Sequence, residues 1–398
     1  MNATNGSDTA GLLQAASAAF EAGQHDTAAA RFRDVLTVDP DNANALYFLA
    51  VIAYQQGDMP AAQERVAQAI ARAPGLADCH NLNGLVLMAQ GRNDAACSAF
   101  RNAIVLEPGF AEAENNLGAA LEALGQADAA GDAYRRATES NPGYAQAFCN
   151  LGRIRLATGQ PAEAEAAFRQ AVDLQPELSD AQFNLAVAQH RRGSLAAAET
   201  TIEQALAGQP DNAEMHRYLG ALRRIRGNLA GAEAALLQAI SLNPALGEAY
   251  DNLAGVLLDQ GRNEAAESRF AQALACNPGD NRAHSNLLMC RNYRDGDADA
   301  LFQAHRDWAE QHVAAIAALP AAAPRPAHRR LRIGYVSGDF RQHSVAYFFE
   351  PLLTGRNRHR FEVFCYASLQ NPDETTARLQ TGSDHWRWVA AIDDAQLA

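Results

Sequence analysis

Eight prolines stand 34 residues apart, at Pro40, Pro74, Pro108, Pro142, Pro176, Pro210, Pro244 and Pro278, in a chain of 398 residues. A period held that long confines the chain to stacked copies of one small unit, because 34 residues cannot bury a core alone and must lean on the next copy. Glycines keep the same beat at Gly23, Gly57, Gly91, Gly125, Gly159, Gly193, Gly227 and Gly261. Glycine accepts the left-handed backbone that ends a helix, and proline a few residues after a helix end prevents its continuation. Each unit therefore reads as a helical hairpin.

Alanine marks a third phase, at Ala28, Ala62, Ala96, Ala130, Ala164, Ala198, Ala232 and Ala266. Four residues on comes a larger apolar group such as Phe32, Phe100, Tyr134, Phe168 or Phe270, and three further on another alanine, from Ala69 to Ala273. Spacings of four and three share one helix face, where alanine admits a neighbouring helix and the aromatic fills the gap. With Leu117-Gly118, Leu151-Gly152 and Leu219-Gly220 ahead of them, these positions resemble the tetratricopeptide pattern over about residues 9–280, with a further helix to about 292. The resemblance implies a solenoid, a right-handed superhelix whose inner surface is lined by the first helix of each hairpin.

One polar residue recurs on that first helix: Asn116, Asn150, Asn184, Asn252 and Asn286, with Phe48, Leu82 and Tyr218 interrupting. An amide offers donor and acceptor together, so a row of them can meet the backbone of an extended acceptor polypeptide without reading its side chains. The alternative is that asparagine is simply a residue of the repeat pattern. Charged residues of the second helices, including Glu163, Arg169, Glu199 and Glu203, read as the solvated outer face.

All 33 basic side chains are arginine, and the net charge is −13. Without lysine, the segment cannot supply the ammonium of a Walker-type phosphate loop, a kinase lysine or a Schiff base. The acidic balance argues against nucleic acid, which would need a basic stripe. Cys79, Cys97, Cys149, Cys276, Cys290 and Cys365 lack the paired spacing of a zinc or dithiol site and read as buried small hydrophobes. No basic-then-apolar leader opens the chain and no run is long and apolar enough to span a bilayer, so a cytoplasmic protein that binds neither metal nor membrane is expected.

Past Cys290 the beat fails, and Trp308, Trp386 and Trp388 appear. A stretch rich in proline and alanine, 319–330, reads as a linker. LRIGYVSGDF (331–340) has the strand and polar turn of a parallel α/β unit, 344–353 suits a covering helix, and FEVFCYA (361–367) supplies a second strand. Two strands are read here, with a last helix opened by Asp393 or Asp394. The expected divisions are an N-terminal tail (1–8), eight repeats plus a capping helix (9–292), a connector helix and linker (293–330), and an incomplete catalytic lobe (331–398).

LRIGYVSGDFRQHS, FEVFCYA, DETTARLQ (373–380) and DHW (384–386), behind a helix carrying Ala304, His305, Trp308 and Ala309, resemble the start of the catalytic region of the protein O-GlcNAc transferase and Spindly family, glycosyltransferase family 41, over about residues 297–398. The fold class is thus mainly α, a repeat solenoid followed by the start of an α/β lobe of GT-B type. The resemblance implies transfer of N-acetylglucosamine from UDP-GlcNAc to serine or threonine of polypeptides held by the repeats, with no required metal or cofactor. A Spindly-like donor other than UDP-GlcNAc is the variant reading.

His343 matches the histidine of the family's Asp-Phe-x-x-His-Pro turn, with a role as acid/base or substrate contact implied. Ser344 replaces the proline, where it could cap the following helix. The donor-binding lobe is expected beyond residue 398, so the chain is expected to be a fragment, inactive alone. The rival reading is a non-enzymatic interaction scaffold.

Overall fold

The computed structural model describes residues 2–292, 297–313, 330–369 and 371–390. Two compact units divide the chain, Met1–Ala315 and Ile316–Ala398. The 319–329 part of the linker and the helix expected at Asp393 lie outside the described residues.

The first unit is a stack of eight hairpins: α1 (Asn2–Glu21) with α2 (His25–Val38), α3 (Ala43–Gln55) with α4 (Met59–Arg72), α5 (Ala77–Ala89) with α6 (Asn93–Leu106), α7 (Ala111–Ala123) with α8 (Ala127–Ser140), α9 (Ala145–Ala157) with α10 (Pro161–Leu174), α11 (Ser179–Arg191) with α12 (Leu195–Gly208), α13 (Ala213–Ile225) with α14 (Leu229–Leu242), and α15 (Gly247–Asp259) with α16 (Asn263–Cys276). Then come α17 (Asn281–Arg291) and α18 (Ala298–Val313). The segment read as an N-terminal tail is instead part of α1, which begins at Asn2: no proline interrupts 2–8, so nothing steric stops the helix from running back.

All eight turn glycines have positive φ, from 71° at Gly23 to 80° at Gly193 and Gly227. Each turn closes with a bond that spans the helix end, as from Arg92 N–H to Leu87 O at 2.9 Å and Gln126 N–H to Leu121 O at 2.9 Å. Each of the eight prolines follows the C-cap residue directly. The alanines of the third phase, Ala28 through Ala266, are fully buried, as are Phe32, Phe100, Tyr134 and Phe168. Leucine-glycine pairs exist because a large apolar side chain of the second helix lies on the first, an aromatic ring at Gly118 and Gly152 and Leu236 at Gly220. A Cβ at Gly118 would stand 2.6 Å from the Tyr134 ring, and one at Gly152 2.7 Å from Phe168.

Neighbouring first helices touch directly, α3 with α5, α5 with α7, α9 with α11 and α13 with α15. Second helices pack chiefly against first helices. A stack that is closer on one side curves toward that side, which puts the first helices on the inner surface.

Charge on the second helices is not all solvated. Glu165, Glu199, Glu233 and Glu267 repeat every 34 residues, and each carboxylate takes arginine from the next first helix or the turn after it. Glu199, read from sequence as solvated, is 8% exposed and holds Arg223 at 3.0 Å and also Arg226. Burial pushes its carboxyl up, but the two guanidiniums outweigh this and hold it below the usual range. Five cysteines are buried as expected; Cys276, last in α16, is exposed.

The second unit is a parallel sheet in the order β1 (Leu331–Ser337), β2 (Phe361–Ala367), β3 (His385–Trp388). Crossovers are α19 (Ser344–Gly355) and α20 (Glu374–Gly382). Leu331 pairs with Phe361 and Phe364 with His385. The third strand corrects the two-strand reading: only four residues long, it gives little alternation to read, yet it completes a second crossover. Ala346, Phe349 and Leu353 of α19 bury against Val363, Cys365 and Leu379.

Candidate functional site

In a parallel sheet, ligands bind beyond the carboxyl ends of the strands, where the crossovers leave loops free to shape a site. Both loops at that end of this sheet carry polar residues that meet. The first, after β1, holds Asp339, Gln342 and His343; the second, after β2, holds Asp373. Asp373 Oδ2 accepts the Gln342 backbone N–H at 2.6 Å, and its Oδ1 accepts the Thr376 N–H at 2.9 Å, closing a capping box on α20. These backbone donors hold the Asp373 carboxyl below the usual range. The two loops enclose a hollow of about 330 Å³ with Tyr347, Glu350 and Arg378 on its wall. Glu350 and Arg378 pair at 3.0 Å, which lowers the Glu350 carboxyl.

His343 lines this hollow and is the N-cap of α19. Its Nδ1 accepts the Val345 N–H at 3.3 Å, and Asp339 Oδ2 lies 3.8 Å from the same nitrogen. The cap expected of Ser344 is thus supplied one residue earlier: extended φ and ψ at His343 (−151°, 158°) put Ser344 already inside the helix.

The asparagines lie in the other unit, all half-buried on first helices: Asn116 on α7, Asn150 on α9, Asn184 on α11, Asn252 on α15 and Asn286 on α17. Three tie one repeat to the previous one. Asn116 donates to Asn81 at 3.0 Å, Asn150 to Asn115 at 2.9 Å and Asn286 to Asp251 at 3.1 Å. Asn184 donates to the Asp180 carbonyl of its own helix at 2.8 Å. One amide N–H of each of these four is therefore spent inside the array.

Sequence reading missed a second row four residues before the asparagines. Asp78, Glu112, Asp180, Glu214 and Glu248 fall on the 34-residue beat, with Gln146 interrupting; Asp78 and Glu214 precede Leu82 and Tyr218 instead of asparagine, and all five are exposed on first helices. The period itself could have found them. Asp180, Glu214 and Glu248 border a cavity of about 430 Å³ with Phe183, Met215 and Arg217, the last paired to Glu214 at 2.7 Å and Glu248 at 3.2 Å. Three carboxylates against one guanidinium leave that hollow acidic.

Residues 19–84 match one tetratricopeptide-repeat family, and residues 81–145, 149–205, 195–246 and 252–305 match another. The chain is a tetratricopeptide-repeat protein. Behind its repeats, residues 309–394 match glycosyl transferase family 41.

Among curated proteins, the probable UDP-N-acetylglucosamine–peptide N-acetylglucosaminyltransferase SPINDLY of Hordeum vulgare is 36% identical over 118 residues, 28% of this chain and 12% of that protein. The probable enzyme SEC of Arabidopsis thaliana is 38% identical over 71 residues, 18% of this chain and 7% of that protein. The alignments thus span about an eighth or less of these relatives. Of solved structures, a Thermobaculum terrenum O-GlcNAc transferase is 34% identical over 58% of this chain and 43% of its own, at a TM-score of 0.49. Part of a repeat protein from Cytophaga hutchinsonii aligns over 61% of this repeat protein and 99% of itself, at a TM-score of 0.50 and 16% identity, a likeness of fold alone. No described helix is long and apolar enough to cross a membrane.

Proposed function

We propose that this repeat protein is the acceptor-binding and first catalytic portion of an O-GlcNAc transferase-like enzyme that moves N-acetylglucosamine from UDP-GlcNAc to serine or threonine hydroxyls. One observation carries the reading: the family 41 match runs straight on from the repeats and includes His343, which lines a polar hollow at the carboxyl ends of a parallel sheet.

The repeats bind the acceptor polypeptide in extended form along the first helices. The amide carbonyls of the asparagine row meet backbone N–H groups, while the carboxylate row Asp78 to Glu248 favours acceptors with arginine or lysine near the modified residue. His343 contacts the reacting groups, and the Gln342–Asp373 bond fixes the loop that carries it. No cofactor is assigned.

Calorimetry on the 398-residue chain tests both halves, with UDP-GlcNAc in one titration and a serine-containing, arginine-rich peptide in another. Peptide binding should weaken about tenfold in the triple variant Asp180→Asn, Glu214→Gln, Glu248→Gln, by loss of charge complementarity. The triple variant Asn150→Ala, Asn184→Ala, Asn252→Ala should also bind less tightly with helicity unchanged. Saturable UDP-GlcNAc binding abolished by His343→Ala supports the enzyme reading. Peptide binding without donor binding is the outcome expected of an acceptor-binding portion whose donor lobe lies outside this sequence, whereas absence of peptide binding, or affinity untouched by either triple variant, would overturn the groove assignment.

A further inference from the structure

The cap on α19 decides what His343 can do chemically. A backbone N–H can only donate, so the His343 Nδ1 that receives it from Val345 at 3.3 Å must present its lone pair. A neutral imidazole carries one proton, and with Nδ1 bare that proton resides on Nε2. Removing a proton from an attacking hydroxyl at Nε2 needs the opposite tautomer, with Nδ1–H held by an acceptor, as carboxylates do for basic histidines. The carboxylate placed to do so is Asp339, and its Oδ2 stands 3.8 Å from Nδ1, outside hydrogen-bond reach. Helix capping and base duty compete for the same nitrogen, and here capping has it.

We infer that His343 acts as a hydrogen-bond donor, offering Nε2–H to an oxygen of the bound substrate, and is not the general base. Asp373 is a positioning residue for it. By receiving the Gln342 N–H at 2.6 Å while capping α20, Asp373 fixes the backbone one residue before His343 and with it the angle at which Nδ1 meets Val345. A donor at that point stabilises negative charge on a sugar, phosphate or acceptor oxygen without itself changing protonation. The class of ligand rests on the glycosyltransferase reading above; the tautomer does not.

The test is long-range proton–nitrogen NMR on the full chain, labelled with ¹⁵N-histidine and held at alkaline pH, where the imidazole is neutral. His343→Asn identifies the resonance. The expected result is a protonated Nε2 and a bare Nδ1; a proton on Nδ1 overturns the inference whatever UDP-GlcNAc does in the calorimeter, and absence of both donor and peptide binding with the expected tautomer overturns only the glycosyltransferase reading. Amide exchange at Val345 should quicken about 2- to 10-fold in His343→Ala, the worth of one hydrogen bond, and return toward the parent rate in His343→Asn, whose Oδ1 can cap the same N–H. An unchanged rate in His343→Ala would also sink the proposal. Asp373→Asn should mix the two tautomers while leaving helicity intact; a single unshifted tautomer would remove Asp373 from the account.

Discussion

The repeat array and the α/β unit bury apolar surface in opposite ways. In the array, each hairpin meets the same neighbour on both sides, so Phe100, Tyr134 and Phe168 disappear completely, and the exposed apolar groups, such as Val105 and Ile225, are scattered. Among the described residues of the α/β unit, only one side of α19 is covered. Ala346, Phe349 and Leu353 are buried, while Val345, Phe348 and Leu352 form a second apolar stripe that faces water, as does Tyr347 between them; Val336 of β1 is exposed too, on the sheet face opposite the one where Tyr335 meets Phe349. The lesson is that an array completes each core from sequence nearby, whereas a parallel sheet needs layers on both faces before its strands and helices are satisfied.

That contrast can be broken most forcefully in the array. Phe168→Ala should cost about 3–5 kcal/mol, because the ring fills the space left by Gly152 and no collapse is available to a stacked unit. Denaturant unfolding would give the loss. Hydrogen exchange should place it in α9 to α11, the helices that share the cluster around Phe168, since contacts in such an array are local. Uniform loss of protection along all sixteen hairpin helices would mean that the array behaves as one globular core.

A middle-sized effect sharpens the comparison from the polar side. Glu199→Gln should cost about 1–2 kcal/mol, the worth of hydrogen bonds to a charged group, reduced by the partial solvation of Arg226. The carboxyl is held below its ordinary value in the folded chain, so its contribution is full above the unfolded value of about 4.3 and fades as pH falls through the lower folded value. The parent and the variant should therefore differ in thermal midpoint at neutral pH and converge in strong acid.

The smallest effect falls in the α/β unit. Phe348→Gln with Leu352→Gln should move its unfolding by no more than about 0.5 kcal/mol, since both side chains already meet water. Binding of a hydrophobic dye should drop. A large loss of stability would show that this stripe is covered.

The same difference governs how much was legible. Repeat length, turn glycines and buried aromatics could be read because one short pattern is stated eight times. The glutamate row could not be read within a unit, since the arginines that bury Glu199 stand 24 and 27 residues later on another repeat. The family turn marked His343 as a site residue, but its role as cap depended on where α19 starts, and one residue separates Ser344 from the nitrogen that does the capping. β3 was missed because four residues carry too little pattern. The asparagine row was seen, while the inter-repeat bonds that occupy Asn116, Asn150 and Asn286 needed the neighbouring helix in place.

Every junction in the array is made with the same parts, a glycine with positive φ, a bond back across the helix end and a proline after the second helix. Such joints are interchangeable. Copying or deleting a whole number of units leaves each seam with its accustomed partner, whereas a change of any other length puts the amide and carboxylate rows out of step. Evolution can therefore lengthen or shorten the reach of this inner surface in fixed increments, each adding one more rung without redesigning those already there.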